Sequence, residues 1–147
     1  MKKILTCVGT RPNFIKITQL ARLFREVGFE YRILHTGQHF DGNMSQIFFE
    51  QLKLDKPDYY LQIGSGSHCS VVGRIIQKVE EVLLDYKPDL LIVPGDVNST
   101  FACAFAASSL RIPVAHIESG LRSFDMEMPE ERNRILTDRL SDILFVT

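Results

Sequence analysis

A length of 147 residues corresponds to one domain with room for a substantial core, and excludes a multidomain enzyme within this chain. Seventeen Lys and Arg against eighteen Asp and Glu leave a formal net charge of −1, so no broad positive field draws the protein onto nucleic acid or anionic lipid. Hydrophobic residues at 45% and charged residues at 24% are globular proportions and exclude wholesale disorder.

In chain order, Met1-Lys2-Lys3 precedes an apolar run over 4–8 that is too short for a signal peptide. It meets Gly9-Thr10-Arg11-Pro12 instead of a small-residue cleavage site, and predicts a first strand in a cytoplasmic protein. Pro12 suits the first turn of a helix in which Ile15, Leu20, Leu23, Phe24 and Val27 recur at helical spacing, closed by Gly28. Residues 31–35 form the second strand. Asn43 caps a short helix carrying Ile47, Phe48 and Leu52, with the Phe48-Phe49 pair read as core or a dimer face. A polar loop follows through Gly64-Ser65-Gly66-Ser67, with Ser67 or Ser70 available as an N-cap. Residues 71–86 are the longest helix, with Val72, Ile75, Ile76, Val79, Val82 and Leu83 as its buried stripe. The all-apolar run 90–93 is a central parallel strand covered on both faces. Then come an Ala-rich helix over 98–110, a strand over 114–117, a helix over 129–140 and a last strand over 143–146.

This alternation predicts an α/β fold, a doubly wound Rossmann-like parallel sheet with helices on both faces. No apolar run approaches the ~20 residues needed to cross a bilayer. Cys7, Cys69 and Cys103 lie far apart without a C-x-x-C pair, which predicts buried thiols and neither disulfide nor zinc site. The last strand has no following helix to cover it, so the chain is expected to be a segment of a longer fold.

Ligands of open α/β sheets bind outside the carboxyl ends of the strands. Three strands there offer Gly9-Thr10-Arg11-Pro12, Pro94-Gly95-Asp96-Val97-Asn98-Ser99-Thr100 and His116-Ile117-Glu118-Ser119-Gly120-Leu121-Arg122, so Arg11, Asp96 and Glu118 are expected on one rim. The first turn either presents an anion site at a helix N-terminus, with Arg11 and Lys16 adding charge, or is simply a tight turn with Pro at its first helical position. Asp96 is either an N-cap or a carboxylate in low-dielectric surroundings, raised in pKa for acid/base work. His116 reads as a satisfied core histidine and is not expected to share a site with Glu118. Glu130 and Glu131 either complement the dipole of their helix or supply a further carboxylate. His35 and His39 do not form a helical metal pair, and no metal or cofactor is assigned. Neither G-x-G-x-x-G nor G-x-x-x-x-G-K-[ST] occurs, which removes the main support for a dinucleotide or P-loop site.

Five segments together carry a resemblance: Gly9-Thr10-Arg11-Pro12-Asn13-Phe14-Ile15-Lys16, His35-Thr36-Gly37-Gln38-His39-Phe40-Asp41, the Gly95-Asp96 and Glu118-to-Arg122 segments above, and Met128-Pro129-Glu130-Glu131-Arg132-Asn133-Arg134. In this order they resemble the non-hydrolysing UDP-N-acetylglucosamine 2-epimerases. The resemblance implies that residues 1–147 are the N-terminal Rossmann-like half of a GT-B fold, with a UDP-binding C-terminal domain absent from this chain. It implies the interconversion of UDP-GlcNAc and UDP-ManNAc for surface polysaccharides, in a homodimer, with the lone chain inactive because the family's essential histidine lies in the second domain. Asp96, Glu118 and Glu130 match the catalytic carboxylates, Arg11 lies near the diphosphate, and Lys16, Gln38, His39 and Arg122 are implied on the substrate side. The loop at Gly64 to Ser67 lacks the arginine that accompanies Gln38 in a regulatory sugar-nucleotide site of some members. The segment Ser123-Phe124-Asp125-Met126-Glu127-Met128-Pro129-Glu130-Glu131 resembles the branch that includes epimerases of UDP-2,3-diacetamido-uronic acids. A non-catalytic sugar-nucleotide-binding or dimerisation module is the alternative of another class.

Overall fold

In the computed structural model, which describes residues 1–37 and 56–147, the chain runs β1 (Lys3–Val8), α1 (Arg11–Glu26), β2 (Glu30–His35), β3 (Tyr59–Tyr60), α2 (His68–Tyr86), β4 (Leu90–Pro94), α3 (Asn98–Ser109), β5 (Val114–Ser119), α4 (Pro129–Leu140) and β6 (Ile143–Val146). The strands are all parallel, in the order β3-β2-β1-β4-β5-β6. Right-handed crossovers explain the layers. The step from β1 to β2 runs one way across the sheet and puts α1 on one face; the steps from β4 to β5 and β5 to β6 run the other way and put α3 and α4 on the opposite face.

Strand side chains alternate between two cores. Leu5, Cys7, Leu34, Leu91, Val93 and Val114 meet α2 and α3, whose Val72, Ile75, Val79 and Leu83 are buried as the sequence predicts. Ile4, Val8, Ile33, Ile92 and Ala115 meet α1 through Phe14, Ile17 and Ala21. That face of α1 corrects the sequence reading: Ile15, Leu23 and Val27 are exposed, because the side turned to the sheet is the 3–4 spacing of Phe14, Ile17 and Ala21 with Phe24 at its margin. The two-residue strand β3 is also absent from the sequence reading, since two tyrosines after Pro57-Asp58 carry no periodicity. The cap is supplied by Ser67, whose hydroxyl accepts from the Ser70 N–H at 3.3 Å, so α2 begins at His68. Cys7 and Cys103 are buried, but Cys69 is exposed on the first turn of α2. The helix expected near Asn43, with Ile47, Phe48 and Leu52, lies outside the described residues, as does Phe49. Among the described residues no helix is long and apolar enough to cross a membrane.

Helix α2 ends on Lys87 in the left-handed region (φ 52°), with its N–H donating to the Leu83 carbonyl. A side chain in that conformation is strained where glycine is not. Lys87→Gly is therefore expected to stabilise the fold by about 0.5–1 kcal/mol, read from urea unfolding.

His35 closes β2 at 2% exposure, its ring packed between Phe14 and Tyr60 at centroid distances of 5.0 and 5.1 Å. Neither ring nitrogen has a hydrogen-bond partner among the described residues, and burial lowers its pKa to about 4. The folded state thus excludes a proton that the unfolded chain accepts near pH 6.5. The stabilisation is complete above pH 6.5 and is lost as the pH falls toward 4. By pH 5 the expected loss is about 2 kcal/mol, and His35→Phe is expected to remove this part of the acid slope. Urea unfolding of both proteins from pH 7.5 to 4.5 measures it; parallel slopes would assign the acid sensitivity elsewhere.

Candidate active site

The sheet reverses its winding between β1 and β4, and the crevice outside a reversal is where an open α/β sheet binds ligands. Gly9 and Thr10 lead there into α1, and Gly95, with φ 76°, turns the chain from β4 toward α3. The two turns press together: a methyl group at Gly95 would lie 3.3 Å from Oδ1 of Asn13, a residue 4% exposed in the first turn of α1. Glycine at 95 thus serves both a left-handed φ and a close approach. Thr100 donates from its hydroxyl to the Pro94 carbonyl at 2.9 Å, and Thr36 shares a 2.6 Å hydrogen bond with Ser99, fixing the end of β2 to the start of α3.

Asp96 does not cap α3. The N-cap position is Val97, with no side-chain hydrogen bond, while Asp96 accepts on Oδ2 from Nε and Nη2 of Arg134 at 3.1 and 2.6 Å. Its side chain is 33% exposed, so the low-dielectric surroundings expected from sequence are replaced by a guanidinium partner. From the same helix, Asn133 Nδ2 donates to the Asp96 carbonyl at 3.0 Å and to Asn98 Oδ1 at 3.1 Å.

Glu118 sits on the next strand, with φ 66° and a register shift between Ile117 and Ser119. On a regular strand residues 116 and 118 would share a face. The irregularity separates them: His116 turns to α4, and Glu118 turns to α1, where it pairs with Lys16 at 2.6 Å. Two carboxylates on adjacent strand ends are thereby held by cations from opposite faces of the sheet, Asp96 by α4 and Glu118 by α1.

Helix α4 organises the rest of the rim. Glu131, 1% exposed, accepts from the Ser123 and Phe124 N–H groups at 2.9 and 3.1 Å and also pairs with Arg134. The Ser123 N–H foremost, with Phe124 and Arg134, holds its carboxyl below the usual range against the effect of burial. Asp138 accepts from the Gly120 N–H at 3.1 Å, pairs with Arg122 at 2.7 Å and meets His116 Nδ1 at 2.6 Å. Burial alone would raise Asp138, but the hydrogen bonds from Arg122, His116 and Gly120 outweigh it and hold the carboxyl low.

Arg11 lies exposed in the first turn of α1, beside the crevice, and Lys16 is committed to Glu118. Arg122 is drawn back onto Asp138 and the Leu121 carbonyl. Glu130 is exposed on the first turn of α4, next to the buried Glu131. Gln38 and His39 lie outside the described residues. Sequence reasoning missed Asn133, Arg134 and Asp138. The available signal was the spacing of Glu131, Arg134 and Asp138 by three and four, a charged stripe on one face of a helix whose buried residues include Glu131, Asn133 and Thr137. Among the described residues no group of three or more His, Cys, Asp or Glu side chains is arranged to hold a metal ion.

The family model for UDP-N-acetylglucosamine 2-epimerase matches residues 21–147. The UDP-2,3-diacetamido-2,3-dideoxy-D-glucuronate 2-epimerase of Pseudomonas aeruginosa is 56% identical over 144 residues, which are 97% of this chain and 41% of that protein. The UDP-N-acetylglucosamine 2-epimerase of Methanocaldococcus jannaschii is 48% identical over 143 residues, 97% of this chain and 39% of its own. A crystal structure of the M. jannaschii enzyme in complex with UDP-GlcNAc and UDP superposes with a TM-score of 0.93, covering 98% of this chain and 40% of that one. The chain spans about 40% of the length of these relatives. A family-model match over most of its length, with superposition on that crystal structure at 48% identity, means that the chain belongs to the UDP-N-acetylglucosamine 2-epimerase family.

Proposed function

We propose that the chain is the carboxylate-bearing part of an isomerase that inverts C2 of UDP-GlcNAc to give UDP-ManNAc. The observation that carries this is the pair Asp96 and Glu118, set on neighbouring strand ends and charge-balanced from opposite sides by Arg134 and Lys16. Inversion at C2 needs a base that takes the proton from one face and an acid that returns one to the other, and two separately supported carboxylates suit that division. In the reaction proposed, loss of the C2 proton and rupture of the C1–O bond release UDP and leave a 2-acetamidoglucal. Protonation of C2 from the opposite face and return of UDP to C1 complete the inversion. Glu130 is the third carboxylate of this reading, Arg11 faces the diphosphate, and Lys16, Gln38, His39 and Arg122 serve the substrate side. The reading takes the uridine-binding residues from a second, GT-B-type domain in the part of the relatives' length that this chain does not span, the whole working in the cytoplasm as a homodimer.

A second substrate is favoured by one observation, the 56% identity to the P. aeruginosa UDP-2,3-diacetamido-2,3-dideoxy-D-glucuronate 2-epimerase. The same chemistry then acts on a sugar with a carboxylate at C6 and a second acetamido group at C3. Incubation of the full-length protein with each nucleotide sugar in deuterium oxide tests both readings. The expected product is the 2-epimer carrying one deuterium at C2, formed with the higher kcat/KM from the true substrate. A product without deuterium at C2, or no product from either sugar, would overturn the proposal.

A further inference from the structure

We propose that His116 and Asp138 are positioning residues, a buried imidazolium–carboxylate pair that locks the turn carrying Asp96 to the end of the strand carrying Glu118. His116 is 0% exposed, and each ring nitrogen faces an acceptor: Nδ1 meets Asp138 Oδ1 at 2.6 Å and Nε2 meets the Gly95 carbonyl at 2.7 Å. A carbonyl oxygen cannot donate, so Nε2 carries a proton. The Asp138 carboxylate already receives the Gly120 N–H and Arg122 on Oδ2, which keeps it an acceptor, so Nδ1 carries one as well. Among the described residues, the charged group that meets the ring is Asp138 from α4, whose other oxygen pairs with Arg122 from the β5–α4 loop.

The ring thus donates a charge-assisted hydrogen bond to the residue immediately before Asp96, at a glycine whose left-handed φ sets the direction of the turn. Through Oδ2 the same carboxylate ties down Gly120, two residues beyond Glu118. One side chain of α4 therefore sets the spacing of the two carboxylates without touching either. Neutralising Asp138 removes the reason for the second imidazole proton and weakens the bond to Gly95.

The charge state is tested in the full-length protein by long-range proton–nitrogen NMR of the histidine rings at pH 7.5. Both nitrogens of His116 are expected at protonated shifts; an unprotonated Nδ1 or Nε2 would overturn the imidazolium. The positioning role rests on the epimerase reading and is tested with Asp138→Asn in the full-length protein. The expected result is a kcat lower by about tenfold to a hundredfold with KM within about twofold, as for a small displacement of a reacting group. An unchanged kcat, or a loss wholly in KM, would overturn it. If the wild-type full-length protein turns over neither sugar, the functional reading fails by itself, and the histidine spectrum still decides the pair.

Discussion

Asp96→Asn and Glu118→Gln, each made in the full-length protein, are expected to lower kcat by about 10²–10⁴-fold with the fold retained. Both amides keep the shape of the carboxyl and a carbonyl oxygen for the cation that holds it, Arg134 or Lys16. Neither amide accepts a proton from carbon or returns one. Structural damage is small because Asp96 is a third exposed, Glu118 is 28% exposed, and Arg134 keeps Glu131 as its second anion. Thermal unfolding and turnover, measured together, separate the two effects. Wild-type turnover by either variant would remove that residue from the reaction.

Arg134→Ala is expected to act on stability as well, lowering Tm by on the order of 10 °C even where no substrate is present. The guanidinium, with a side chain 13% exposed, spans the buried Glu131 and the rim carboxylate Asp96. Its removal leaves a buried carboxylate with backbone donors and no cation, the costly half of a broken pair. It also frees Asp96 to swing, so turnover should fall as well. Arg134→Lys is expected to recover only part of the loss, because one ammonium cannot reproduce the fork that gives Nε and Nη2 to Asp96 and Nη1 to Glu131. A Tm within about 2 °C of wild type for the alanine variant would mean that Glu131 is satisfied by Ser123 and Phe124 alone.

Much of the fold was legible because periodicity is a local property. The alternation of apolar runs with helical stripes, the glycines at turns and the hydroxyl cap at Ser67 each act within a few residues. The errors have local causes too. In α1 the apolar residues surround most of the helix, so spacing alone did not show that Phe14 and Ile17, and not Ile15 and Leu23, face the sheet. Cys69 read as buried from its residue type, but the first turn of α2 leaves it in solvent.

What the sequence by itself determined is the winding of the sheet and hence the rim on which Arg11, Asp96 and Glu118 are collected, since parallel strands end on one edge whatever their partners. It also carried the family likeness, through motifs that lie at those strand ends. Only the tertiary structure decided what holds each carboxylate. Arg134 is 38 residues from Asp96, and Asp138 is 22 from His116, so neither pairing has a trace in local spacing. The left-handed Glu118 and the register shift beside it turned one member of the His116–Glu118 pair toward α1 and left the other facing α4. Long-range ion pairs depend on where the backbone places two distant residues, and that placement exists only once the sheet has formed.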